Sequence, residues 1–241
     1  MSYPGGYWGK ILRINLTEMK IISERLPSEK LLRKWIGGRG LGVWYLLEEI
    51  DPKIDPLSPD NKIVILTGPL TATGYPTAGR SVSVTKSPLT DTIHDSNVGG
   101  WFGAQLKQAG FDGLIIEGES EEPVYIWINN DEVEIRSAKE LWGKNTKETT
   151  KMIREELGDK RVSVLAIGPA GEHLIRLASI MNDEAHTAGR GGLGAVMGSK
   201  KLKAIAVTGS QPIEEAKPEV LDELLEIMKV RITWNPILGN A

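Results

Sequence analysis

The chain has no cysteine in its 241 residues. That excludes disulfides, zinc–thiolate sites and cysteine-ligated iron–sulfur clusters built by this chain itself. Histidine is almost as scarce, with only three (His94, His173 and His186), too few for a multi-histidine metal site. No apolar run is long enough to cross a bilayer. The N-terminus, Met1-Ser-Tyr-Pro-Gly-Gly6, lacks the basic-then-apolar pattern of a secretory leader, so a cytoplasmic location is expected. A strong charge of one sign is also missing. The net charge of −3 gives no general field that would draw in nucleic acid or a membrane. What remains, 40% apolar and 25% charged, describes a globular chain of one large domain or a domain and the start of another.

Glycine, by contrast, is plentiful, at 27 residues, and part of it is patterned. Thr77-Ala78-Gly79-Arg80 recurs as Thr187-Ala188-Gly189-Arg190. Each copy follows an apolar strand that breaks at Gly-Pro, first Lys62 to Gly68-Pro69 and then Arg161 to Gly168-Pro169. Glycine lets backbone approach a ligand, and arginine offers a planar fork for phosphate. Two such units suggest a duplicated half-domain that grips two phosphates. The spacing from Gly-Pro to arginine differs between the copies, so a chance recurrence on the surface is the competing reading.

Lys10 to Leu16 alternates as a half-buried strand, with Leu12, Ile14 and Leu16 on one side. Ser28 is placed to cap a short helix carrying Leu31, Leu32, Trp35 and Ile36, and a second helix carries Val43 to Ile50. The proline-rich stretch 51–61 is a loop. Strands are predicted at 62–67, 81–86, 112–117, 123–128, 132–136, 161–167, near 173–181 and at 203–208. Helices are predicted from Gly100 to Gly110 and from a Thr146 cap to Gly158. The expected fold is α+β, a β-rich duplicated domain in two halves with short packing helices, over 1–210. From 211 to 241 the texture changes. Pro218 opens a helix whose apolar face includes Val220, Leu221, Leu224, Leu225, Ile227 and Met228. With the abrupt ending after Asn235, that helix reads as the start of a further, missing domain.

The binding candidates cluster at glycine turns. Gly99-Gly100 leads into a helix, where unpaired N–H groups suit an anion, and Asn97 beside it either caps the helix or meets a ligand. Arg80 and Arg190 are the anion-binding arginines of the two repeats. His186 is either a ligand contact or a structural histidine, and His94 and Asp95 have a weaker claim. Gly189 to Gly198 is glycine-dense enough to lie against a flat cofactor or to form a bend between sheets. It matches neither the dinucleotide fingerprint nor a Walker loop. No catalytic residue is indicated, so the residues alone describe a binding domain for a multiply phosphorylated ligand.

Several ordered motifs carry a family resemblance. They are Trp8-Gly9-Lys10 with the strand after it, Leu57-Ser-Pro-Asp-Asn-Lys62, Thr85-Lys-Ser-Pro-Leu-Thr90, Gly99-Gly-Trp-Phe-Gly-Ala-Gln-Leu-Lys107 and Ala195-Val-Met-Gly-Ser-Lys200. Together they resemble the N-terminal domain of the tungsten-containing aldehyde ferredoxin oxidoreductases across about residues 6–210. The resemblance implies a tungsten bis-pyranopterin cofactor whose phosphates are bridged by magnesium, with this domain as its floor. Arg80 then matches an arginine near the cofactor and the iron–sulfur cluster. Asn97 matches the asparagine whose carbonyl binds magnesium, and Gly99 matches a backbone contact to pterin. Thr187 falls where an alanine carbonyl binds magnesium, and His186 where one family member has arginine. Two Thr-Ala-Gly-Arg units would suit two pterins related by a pseudo-twofold axis.

The same resemblance implies that a 4Fe–4S cluster, the catalytic acid–base groups and the pterin cover lie in regions absent from this chain. The complete enzyme would oxidise an aldehyde with water to a carboxylic acid and pass electrons to ferredoxin. The remaining domains, or a complementing chain, would be its partners. Rival readings are a non-catalytic pterin-binding or assembly module, and a domain of a related tungsten enzyme with a non-aldehyde substrate. An exposed apolar patch near the glycine turns and the last helix is expected to drive homo-oligomer formation.

Overall fold

The computed structural model describes residues 3–234. The stretch 235–241, on which the abrupt-ending expectation rests, lies outside the described residues. The chain forms two six-stranded mixed sheets. The first contains β1 (Lys10–Asn15), β2 (Lys20–Arg25), β3 (Ile63–Leu66), β4 (Ser81–Lys86), β5 (Ile93–Val98) and β6 (Gly113–Glu117). The second contains β7 (Val124–Asn129), β8 (Glu132–Ser137), β9 (Ser163–Ala166), β10 (Ile180–Asn182), β11 (His186–Ala188) and β12 (Leu202–Thr208).

Duplication is written in the topology. The first sheet runs β2-β1-β6-β3-β4-β5, and the second, read from its other edge, runs β8-β7-β12-β9-β10-β11. Adding six to each strand number converts one order into the other. The senses agree as well. β1 pairs in parallel with β6 as β7 does with β12, and every other neighbouring pair is antiparallel in both sheets. Helices occupy corresponding places. α1 (Glu29–Trp35) and α2 (Gly38–Glu49) fill the gap between β2 and β3, and α4 (Thr146–Leu157) fills the gap between β8 and β9. α3 (Phe102–Gln108) lies between β5 and β6, as α6 (Leu193–Ser199) lies between β11 and β12. A short α5 (Pro169–Glu172) and a final α7 (Pro218–Thr233) complete the set.

Period-two alternation sorts the strands into layers. Leu12, Ile14, Ile63, Ile65, Leu114 and Ile116 point inward from the first sheet. They meet Ile126, Ile128, Leu165, Ile205 and Val207 of the second, with Phe102 and Leu106 of α3 and Leu193, Val196 and Met197 of α6 between them. The alternate residues Ile11, Val64, Leu66 and Ile115 face α1 and α2. Tyr125, Val164, Ala166, Ala204 and Ala206 face α4.

Five local expectations need correcting. The segment expected as a strand near 173–181 is the turn that follows α5 and then only the three-residue β10, because Pro169 and Gly171 favour a helical turn soon after β9. The glycine-dense run ends not in a bend but in α6, and its glycines pack on protein backbone. A Cβ on Gly194 would lie 2.6 Å from Ser179 O, and one on Gly198 would overlap Gly171 O. Asn97 sits in β5, not in a turn, because Val82 of β4 pairs with it. The cap of α4 is Asn145 rather than Thr146. Its side chain accepts from Glu148 N at 2.9 Å while Glu148 accepts from Asn145 N at 3.1 Å. Ser28 makes no side-chain cap bond.

A buried lysine joins the halves. Lys200, after α6, donates from Nζ to Pro59 O at 3.2 Å and Gly118 O at 3.0 Å. Burial without a bonded carboxylate pulls its pKa down to about 8. Between about 8 and 10.5 the native chain has lost a proton that the unfolded chain keeps, so stability rises with pH in that window. We expect the Lys200 contribution to this rise to approach about 1.4 kcal/mol per pH unit, so that the slope in Lys200→Met is lower by that amount. Denaturant unfolding of both proteins across the window measures it, and equal slopes would reject it.

Candidate cofactor cradle

The two Gly-Pro breaks are equivalent. Gly68-Pro69 follows β3 and Gly168-Pro169 follows β9, each at the start of the connection to the next antiparallel strand. Each break opens a cleft. The first, of about 400 Å³, is lined by Gly37-Gly38, Gly68, Thr77, Arg80 and Asn97 among others. The second, of about 350 Å³, is lined by Thr146, Gly168, Pro169, Ala178, Ser179 and Met181 among others. Both lie where a Gly-Pro break meets the N-terminus of the outer helix, α2 in one half and α4 in the other.

Chemically the clefts differ. α2 has no side-chain cap and no acid in its first turn, so its N-terminal dipole faces the first cleft unopposed. α4 is closed by its own capping box. Arg80 is exposed, and among the described residues it has neither a carboxylate nor a hydrogen-bond partner. The first cleft is therefore the more strongly anion-attracting of the two.

The Thr-Ala-Gly-Arg copies are not the structural repeat. Thr77 has φ +65° in the loop before β4, whereas Thr187 and Ala188 form the end of β11. Arg80 thus precedes the fourth strand of its half and Arg190 follows the fifth of the other, so the two stand in unrelated environments. The counterpart of the Arg80 loop is the segment before β10, which carries the exposed Arg176. Local sequence offered no signal for Arg176; only the strand order identifies it. The repeat that the fold does honour is Gly99-Gly100 before α3 and Gly191-Gly192 before α6. Each leads to a buried apolar residue and then Gly-Ala, directly in Leu193-Gly194-Ala195 and after the exposed Trp101 in Phe102-Gly103-Ala104. Gly103 packs on Gly79 O, with 2.9 Å to a built Cβ, as Gly194 packs on Ser179 O.

The fold brings the remaining candidates to one seam. β5 and β11 are edge strands of their sheets and lie against each other. Asn182 Nδ2 donates to Gly99 O at 2.6 Å across that seam. The His186 ring packs on Gly99, and a Cβ there would come within 2.8 Å of His186 Cδ2. Asn97 is half-buried on β5, Thr187 is exposed on β11, and its Oγ1 meets Met181 Sδ at 2.9 Å. Arg190 is exposed on the turn after β11 and lines neither cleft. Edge strands present unpaired carbonyl and N–H groups. Ser81 Oγ and His94 Nε2, close to these turns, are buried with no hydrogen-bond partner among the described residues. Around the clefts, Ile36, Leu70, Trp101, Ile175 and Leu177 are exposed, Trp101 and Leu177 at 70% each. No helix among the described residues is long and apolar enough to cross a membrane.

Comparison with known proteins places this geometry in a family context. Residues 11–209 match the family described as aldehyde ferredoxin oxidoreductase, N-terminal domain. The tungsten-containing aldehyde ferredoxin oxidoreductase of Pyrococcus horikoshii is 51% identical over 236 residues, covering 98% of this chain and 39% of that protein. A WOR-like subunit of an aliphatic sulfonate oxidoreductase from Pyrococcus furiosus is 42% identical over 250 residues, covering 97% of this chain and 39% of that one. Among solved structures, the active-site complex BamBC of benzoyl coenzyme A reductase, with 1,5-dienoyl-CoA bound, superposes with a TM-score of 0.90 at 38% identity. It covers 95% of this chain and 35% of that chain. The chain thus spans about two fifths of the length of these curated relatives.

Proposed function

The chain belongs to the aldehyde ferredoxin oxidoreductase family, and from that membership we propose that it is the N-terminal, cofactor-cradling part of a tungsten bis-pyranopterin oxidoreductase. The observation that carries the proposal is the pair of equivalent clefts flanking one seam of edge strands, a cradle with two matching places. When bound, the tungsten centre supplies the redox chemistry. This chain's residues hold and orient the group. Arg80 and the N-terminus of α2 attract a phosphate at the first cleft. The backbones of Gly99 and Gly100 approach the pterin, and His186 and Arg190 flank the far side of the seam. A magnesium ion bound with the cofactor would be held by the Asn97 side-chain carbonyl and the Thr187 main-chain carbonyl. Among the described residues no group of three His, Cys, Asp or Glu side chains could hold a metal, and oxygen ligands of this kind suit a hard cation.

The whole protein would convert an aldehyde and water to a carboxylic acid, releasing two electrons and two protons. Those electrons would reach ferredoxin through a 4Fe–4S cluster that needs cysteines from beyond this cysteine-free chain. The exposed face of α7, with Val220, Leu224, Ile227 and Val230 and no buried residue, is where the rest of the protein would pack. A second reading has a specific basis. The relatives named for a sulfonate and for benzoyl coenzyme A share this part of the chain, so the cradle is compatible with a non-aldehyde substrate.

The test is elemental analysis of the protein purified from its native host. Tungsten with stoichiometric phosphorus is expected, and Arg80→Ala should lower retained phosphorus about tenfold at unchanged folding, one charge-assisted contact being worth about 1.5–3 kcal/mol. Neither element in the parent protein would overturn the proposal.

A further inference from the structure

The contacts between the halves are reciprocal. His94 of β5 packs on Gly191, where a Cβ would overlap the His94 ring, and His186 of β11 packs on Gly99. The two histidines precede their own glycine pairs by the same five residues, His94 to Gly99 and His186 to Gly191. The carbonyls follow suit. Ser87 Oγ, just after β4, donates to Gly191 O at 2.7 Å, and Asn182 Nδ2, at the end of β10, donates to Gly99 O at 2.6 Å. Each first glycine is thus gripped by a ring and a hydrogen bond from the opposite half. Such mutual exchange of the same contact is the signature of a twofold relation.

The links close a ring. β5 joins His94 to Gly99, His186 sits on Gly99, β11 and the short turn after it join His186 to Gly191, and His94 sits on Gly191. We propose that His94 and His186 are positioning residues that lock the two Gly-Gly turns into one unit, so that releasing either histidine loosens both turns. The lock works by ring packing. His94 Nε2 has no hydrogen-bond partner among the described residues, and Gly191, at φ +75°, has no side chain that could keep the ring off the backbone. Its value for cofactor geometry rests on the reading of these turns as the cradle, but its mechanics do not.

Amide hydrogen exchange by mass spectrometry tests it on the chain itself. His94→Ala and His186→Ala are each expected to speed exchange about tenfold at both turns, 97–103 and 188–194, through local opening. Faster exchange only at the turn the missing ring touched would overturn the lock. Leu165→Ala, in the inter-sheet core, serves as the comparison. If its general loosening reproduces the same selective effect on the two turns, the histidines have no special role and the proposal falls. His94→Phe keeps a planar ring and should restore protection at both turns; failure to do so would reject ring packing. Phosphorus retained by the same variants separates the two proposals. A lock seen by exchange in a protein that carries no phosphorus would leave this inference standing and remove the cofactor reading.

Discussion

Asp112→Ala is expected to destabilise the chain by about 3–5 kcal/mol, a large part of the stability of a typical domain. Asp112, 2% exposed, sits just before β6 and its carboxylate receives the ammonium of Lys107, which is 0% exposed at the end of α3. It also accepts from Trp8 N at 3.2 Å, Gly9 N at 2.7 Å and Lys10 N at 3.3 Å. Removing it strands a buried cation and frees three N–H groups that tie the N-terminal segment to the central strand. Burial already pulls the Lys107 pKa down, and Asp112 opposes that pull. The double variant Asp112→Ala with Lys107→Met should therefore recover a large part of the loss, since it removes the orphaned charge. Equilibrium denaturation of the two variants settles the matter. An Asp112→Ala protein within about 1 kcal/mol of the parent would show that the pair carries no such weight.

Gly198→Ala is expected to cost about 3 kcal/mol or more, although alanine is the better helix former by about 1 kcal/mol. The reason is contact between backbones. Gly194 and Gly198 lie one turn apart on α6 and let it rest directly on the 168–179 connection. A methyl group at 198 would occupy the place of Gly171 O, and a carbonyl cannot rotate aside as a side-chain tip can. The same substitution at Gly158, the left-handed C-cap of α4, meets nothing within 4 Å and carries only the strain of φ +67°. It should cost about 1 kcal/mol. Thermal unfolding of both variants compares them, and a Gly198→Ala protein as stable as Gly158→Ala would contradict this account of α6.

The central strands were readable because each carries its own evidence. Ile63 to Leu66, Gly113 to Glu117 and Leu202 to Thr208 are apolar runs buried on both faces, and their composition admits little else. Three of the four edge strands, β2, β5 and β11, were not; β8 was, as the strand predicted at 132–136. Ile93 to Val98 contains His94, Asp95, Ser96 and Asn97, a composition that suits a turn, and becomes a strand because Ser81 to Lys86 offers a complete ladder to pair with. The three-residue β10 and β11 exist only through each other and β9. A helix of seven residues after two glycines is likewise stabilised by packing, since its propensity alone would not form it.

By itself, then, the sequence determined the family, through motifs spread in order along the chain, and it located the Gly-Pro breaks, the core strands and the candidates Arg80, Asn97 and Gly99. It also raised the idea of duplication, but on the wrong repeat. Only the tertiary structure decided which segments are equivalent, because equivalence here is a matter of strand order and sense, and these depend on pairing between residues far apart in the chain. The same four residues, Thr-Ala-Gly-Arg, form a loop that starts at a left-handed Thr77 in one half and run from the end of an edge strand into the turn after it in the other. Their backbone follows whatever pairs with them, and that partner is supplied by the fold, not by the four residues.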